Sequence, residues 1–346
     1  MYLVLIPLLA VVFLSGILSL TNIKHERILM FAIAITLILL CAFKPIEHTY
    51  DAVAYAERYN SLEMGDFGSE PLSYFLVLIT RPFHTPIAMF ALYAILSIGI
   101  KFYAIHKYSP FVFLSITVYI AMFFTQDYVT IRCAVAASVA LLSIPFVIER
   151  QFGKFLLYVL IATLFHYSAF IWIVVYFLNP THINLKKWIS LPILSYIVTY
   201  LGIGISKCIG YIPFDFIRDI YIVYTLKIQN DNIFATLNLF SLRQLFLIFL
   251  FFVFALNIKT LVKKNAYACI LFKIYTLSLC FFCVFSDVPA IAMRMSSFLQ
   301  ISVIFLFPML VYVFKSRVVG TIVVLAIASV FMWEIIYLGN IYVQDF

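Results

Sequence analysis

Residues 155–178 read FLLYVLIATLFHYSAFIWIVVYFL, a long apolar run broken at Phe165-His166-Tyr167-Ser168. The run is long enough to cross a ~30 Å hydrocarbon core as one helix. Alternatively, it bends at His166 and leaves on the side it entered. The choice sets the side of every later loop, and the basic residues decide it, because lysine and arginine collect in cytoplasmic connections. With the bend, Lys24/Arg27, Lys101/Lys107, Arg150/Lys154, Lys186/Lys187, Lys259/Lys263/Lys264 and Lys315/Arg317 all fall on one face. With a straight crossing, Lys259, Lys263, Lys264, Lys315 and Arg317 move to the other side and the bias is lost. The bent reading is therefore expected. Non-helical backbone at that depth survives only where it is buried in protein or lines a wet cavity.

Around this segment stand further candidate spans at 2–20, 28–43, 86–104, 110–125, 129–148, 188–206, 241–258, 266–285, 297–314 and 318–338. Residues 71–80 form a helix-like run too short to cross, stopped by Arg81-Pro82. The chain is 65% hydrophobic and 11% charged, with mean hydropathy +1.11. A soluble domain carries about 25% charged residues to meet water, so most of this surface must face lipid. The expected fold is all-α, a polytopic transmembrane helical bundle of about ten to twelve membrane segments, one or two of them re-entrant or broken. It is read as one integral membrane domain, 1–346, with a first outer loop at about 44–70 and the largest at about 207–240. Residues 2–20 lack a basic leader and a cleavage site, so they read as a retained span. The six cysteines sit mostly in apolar runs, without zinc-type spacing, and read as small buried hydrophobes. The net charge of +8 is carried by loop lysines and does not point to nucleic acid.

This topology puts both termini, His166 and Arg294 outside, and Lys186 and Lys263 inside. Six of the nine arginines then lie outside: Arg58, Arg81, Arg132, Arg218, Arg243 and Arg294. The charge rule disfavours that placement, so it requires another cause. A guanidinium is always charged and presents a planar fork matched to phosphate or carboxylate.

In the first outer loop Asp51, Tyr55 and Tyr59 recur at i, i+4 and i+8 and share one helix face. Rings beside carboxylates suit a sugar surface, and an interfacial aromatic belt with solvated acids is the alternative. Glu70 precedes Pro71, which suits a first helical position, and an acid there is also simply well placed at a helix start. Gln126-Asp127 and Arg132 flank the mouth between two spans, where the plain structural reading is an Arg132–Asp127 ion pair. His166 occupies the break and offers a general base or a donor to phosphate. Asp215, Arg218 and Asp219 share one face in the largest loop, as in an interfacial helix. Asp287 and Arg294 mark the mouth of two later spans. No metal-ligand constellation, phosphate-cradling glycine loop or Gly-x-Ser-x-Gly elbow is present.

These motifs resemble the EpsG/Wzy-type polymerases of bacterial surface polysaccharides. The features that match are Asp51-x3-Tyr55-x3-Tyr59, Glu70-Pro71-Leu, Arg132 opening a small-residue span, Phe165-His166-x-Ser168-Ala169, and Arg294 near the later spans. They run in the expected order over about two thirds of the chain. The sequence departs from the familiar pattern after Arg132, where Cys133-Ala134 stands in place of a Gln-Gly-type continuation.

The resemblance implies an architecture like the lipid-dependent (GT-C-like) glycosyltransferases. It implies an O-antigen or capsule polymerase that joins undecaprenyl-pyrophosphate-linked oligosaccharide repeat units on the outer face of the bacterial cytoplasmic membrane, without a cofactor or metal. Asp51, His166 and Glu70 are then the candidates for the catalytic base. Arg132, Arg294, Arg81 and Arg243 would bind pyrophosphate, and Tyr55, Tyr59, Gln126 and Asp287 the sugars. The partners implied are lipid-linked donor and acceptor, membrane lipid, and a flippase and chain-length regulator, with no nucleic acid. A flippase of lipid-linked oligosaccharide, or an O-antigen ligase, is the alternative. A transporter would be expected to show internal repeats, and none is evident; an O-acyltransferase would need its histidine reachable from inside.

Overall fold

The computed structural model describes residues 2–21, 25–61, 70–202 and 237–344. These residues are helical, with no strand among them. The helices are α1 (Tyr2–Leu20), α2 (Glu26–Ala42), α3 (Tyr50–Ser61), α4 (Pro71–Thr80), α5 (Pro86–Tyr108), α6 (Val112–Tyr128), α7 (Ile131–Leu141), α8 (Ile144–Ile148) and α9 (Phe152–Phe165). They continue with α10 (Leu185–Tyr200), α11 (Leu242–Lys264), α12 (Ala268–Val284), α13 (Pro289–Gln300), α14 (Val303–Leu306) and α15 (Arg317–Gln344). Tyr167–Phe177 and Phe307–Val313 are 3-10 helices. Residues 62–69 of the first outer loop and 207–236 of the largest, with Cys208, Asp215, Arg218 and Asp219, lie outside the described residues.

Five segments are long and apolar enough to cross a membrane alone: Pro86–Tyr108, Ile131–Ile148, Leu242–Lys264, Pro289–Val313 and Arg317–Ile335. The distribution of polarity fits a lipid solvent. On α11, Leu245, Phe249, Phe252 and Leu256 form an exposed stripe, while Leu247, Leu250, Phe254, Ile258 and Leu261 are buried. The polar groups turn inward and pair: Ser15 Oγ lies 2.7 Å from Thr117 Oγ1, and Thr117 also donates to the Phe113 carbonyl. A hydroxyl in hydrocarbon has few other partners, and back-bonding to the preceding turn satisfies it.

The chain forms two compact units. One comprises residues 1–176 and 303–346, the other 177–302. In the first, α7 supplies Ala134, Ala136, Ala137, Ser138 and Ala140, all buried. Small side chains let backbones approach closely, and Ser138 Oγ reaches the Ser97 carbonyl of α5 at 3.0 Å. In the second unit, Lys273 of α12 is buried against Trp188 and donates to the carbonyls of Asn179 and His182, tying down the loop before α10.

The broken segment is a hairpin. At its base the Arg150 guanidinium donates to the Tyr176 carbonyl at 2.8 Å, and Tyr176 Oη donates back to the Arg150 carbonyl at 2.8 Å. The two ends of the segment therefore meet, as the bent reading expects. Fourteen α-helical residues carry α9 about 21 Å away from that base. His166 turns the chain there in extended conformation (φ −157°, ψ 120°). The carbonyl of Phe165, orphaned at the helix end, accepts from Ser73 Oγ at 2.8 Å. On the returning arm, Trp172 Nε1 donates to Ser143 Oγ at 2.8 Å.

Two assignments from sequence are corrected. Lys101, grouped there with Lys107 in an inner connection, is fully buried within α5. Asp127, set against Arg132 as a structural pair, is the partner of Lys101, with 2.8 Å to each carboxylate oxygen. Tyr119 Oη (2.9 Å) and Ser97 Oγ complete the carboxylate's shell. A charge so placed must be paired. The lysine stem reaches up along its helix to meet Asp127 near the end of α6, and the break between α6 and α7 sends Arg132 elsewhere.

Candidate active site

Arg132 turns to Glu70. Its Nη1 donates to Glu70 Oε2, while Glu70 Oε1 stands 2.8 Å from His166 Nδ1. Three separate elements converge here: the start of α4, the first turn of α7 and the tip of the hairpin. Pro71 occupies the first position of α4, and Glu70 is its N-cap residue, yet its side chain makes no capping bond. The carboxylate is spent on the two cations instead. Both it and the imidazole are more than nine-tenths buried, whereas Arg132 keeps 27% of its side chain exposed.

Glu70 is ionised. Burial raises its pKa, but the hydrogen bond from His166 and the charge of Arg132 outweigh burial and lower it to about 2. Burial of His166 disfavours the imidazolium, but the neighbouring Cys133 and the Glu70 carboxylate overcome that and push its pKa up to about 9. A carboxylate can only accept, so Nδ1 carries the proton between them. Arg132 and His166 thus share the one Glu70 carboxylate.

Beside it opens a shallow cleft lined by Tyr55, Arg58, Ser73, Tyr74, Tyr93 and Arg132. The Arg132 guanidinium lies over the Tyr55 ring, 5.4 Å from its centroid. Tyr93 Oη donates to the Ser73 carbonyl at 3.2 Å, bracing the start of α4 against α5. Arg132 Nε, on this wall, is buried without a hydrogen-bond partner among the described residues.

The other candidates are placed as follows. Asp51 is half-buried in the first turn of α3, within electrostatic reach of Lys44 and Tyr55, and does not line the cleft. Tyr59 shares the face of Tyr55 but is buried, and its hydroxyl donates to the Thr80 carbonyl at 2.9 Å. It joins α3 to α4 and is not part of the cleft wall. Arg81 closes α4 at the end away from Glu70. Arg243 near the start of α11, Asp287 ahead of α13 and Arg294 within α13 belong to the second unit.

Sequence reasoning passed over Tyr93 and the cleft role of Arg58. Tyr93 is a lone phenol in an apolar span, and only its i, i+4 spacing from Met89, also on the cleft wall, hinted at a shared face. Among the described residues no group of three metal-ligating side chains occurs. The described cysteines are free, and all but Cys133 are buried.

No curated protein and no solved structure shows significant similarity to this chain. A family model does: that of the EpsG family matches residues 27–344. The match takes in the convergent cluster and nearly the whole helical bundle, and the chain belongs to the EpsG family.

Proposed function

We propose that this protein joins undecaprenyl-pyrophosphate-linked oligosaccharide repeat units by glycosyl transfer on the outer face of the bacterial cytoplasmic membrane. Membership of the EpsG family supports a polysaccharide-polymerase-like role. The observation that carries the finer reading is the Arg132–Glu70–His166 cluster at the tip of a hairpin whose base lies among basic residues. Two fixed cations beside an open cleft suit a leaving group that gains charge as its bond breaks.

In this reading Arg132 and the His166 imidazolium bind the donor's pyrophosphate. As Arg132 turns to the phosphate, Glu70 Oε2 is released. Losing its cationic partner raises the basicity of the carboxylate, which then takes the proton of the acceptor hydroxyl. The acceptor oxygen bonds the anomeric carbon, the bond from that carbon to the pyrophosphate oxygen breaks, and the electron pair leaves with undecaprenyl pyrophosphate. Tyr55 offers a ring for a sugar to stack on. The sidedness rests on the lysine distribution. Asp51 stays the alternative base, Arg81, Arg243 and Arg294 further candidate pyrophosphate ligands, and Gln126 and Asp287 candidate sugar contacts.

The function is tested by surface-polysaccharide electrophoresis of a deletion strain. A polymerase mutant displays a single repeat unit on the lipid core. A strain that displays none points instead to a flippase or ligase.

The charge on His166 is tested separately by a pH profile. If the imidazolium acts as a cation, kcat/KM holds through neutral pH and falls as pH passes about 9. A rise over that range would mean that His166 works as a base, and would overturn its assigned role.

A further inference from the structure

Arg58 is the second guanidinium on the cleft wall. It stands three residues after Tyr55 on α3, so the two share a face, and the Tyr55 ring is the one that Arg132 covers. Arg132 has a carboxylate, Glu70. Arg58 is half-buried and, among the described residues, has neither an acidic nor a hydrogen-bond partner. Two like charges facing one cleft repel, and an anion between them relieves that repulsion. Val77 and Met89 add apolar surface to a wall that also carries Ser73, Tyr74 and Tyr93. The cleft thus pairs a doubly cationic rim with a surface suited to hydrocarbon.

We propose that Arg58 and Arg132 together bind the pyrophosphate of a polyprenyl carrier in this cleft, with Val77 and Met89 against the first isoprene units. The proposal rests on the polymerase reading above and adds Arg58 to Arg132 and His166 as a third phosphate ligand from the same unit. Each guanidinium presents a fork to one phosphate. Neither Arg58 nor its neighbours in the cleft require a metal for this.

The test is equilibrium binding of geranylgeranyl pyrophosphate to the purified full-length chain in nanodiscs, with geranylgeraniol as the phosphate-free probe. Arg58→Ala is expected to weaken the pyrophosphate probe by roughly 10-fold or more, Arg58→Lys by less, and neither to change binding of the alcohol. Monodisperse elution checks that each variant is folded, and Arg58→Gln serves as a second neutral substitution. If Arg132→Ala weakens binding and both neutral Arg58 variants bind as wild type, Arg58 is not a ligand, while the polymerase reading stands. If the alcohol weakens as much as the pyrophosphate, Arg58 shapes the apolar wall and the proposal fails. If wild type does not discriminate the two probes, the pyrophosphate site itself is wrong, and the proposal falls with it.

Discussion

Glu70→Gln is expected to lower turnover by roughly 100-fold or more while donor binding holds or tightens. The two effects have opposite signs because the carboxylate has two roles. At rest it neutralises Arg132 and His166, so it competes with the donor for both cations. Glutamine keeps the size and a hydrogen-bonding oxygen but removes the negative charge, which leaves the Arg132 guanidinium more available to pyrophosphate. It also cannot take a proton, so the step that needs a base slows. Single-turnover kinetics with a purified lipid-linked substrate separate the two effects. Wild-type turnover in Glu70→Gln would exclude the carboxylate as base. A loss confined to donor binding would reduce Glu70 to a structural partner of Arg132.

Arg132→Ala should be as severe, with a loss in turnover of about 10²–10³-fold, and Arg132→Lys should recover little. Lysine preserves the charge but replaces a planar fork by a point charge. Arg132 needs that fork to hold Glu70 through Nη1 while its face rests on Tyr55. Lysine also cannot span both positions, so it would leave Glu70 with His166 alone. Removal of Arg132 has a second consequence: Glu70 loses a cation and its carboxylate becomes easier to protonate. The double variant, Arg132→Ala with Glu70→Gln, is therefore expected to lose less than the two single losses combined, because the residues act as one unit. Full polymerising activity in stably expressed Arg132→Ala would remove the phosphate assignment altogether.

The sequence by itself determined the class of fold and the site's polarity. Apolar runs of membrane length, with charge confined to their ends, leave a helical bundle as the solution, because lipid offers no partner to an open backbone. The polar interruption at His166 and the sided lysines were enough to foresee the hairpin, which the mutual hydrogen bonds of Arg150 and Tyr176 close at its base. The order Glu70, Arg132, His166 along the chain also marked those residues as candidates. Their partnership was decided only by tertiary structure. Glu70 and His166 lie 96 positions apart, and no local pattern reports which helices become neighbours. Local spacing misled at Asp127 and Arg132, five residues apart, because the break between α6 and α7 turns them in different directions. Lys101 looked like a loop lysine until packing enclosed it and made Asp127 its partner. Arg58 carried no signal beyond its charge. Ion pairs in a bundle follow from which helix faces meet, and that choice is made by the summed packing of long-range contacts, which a linear pattern does not contain.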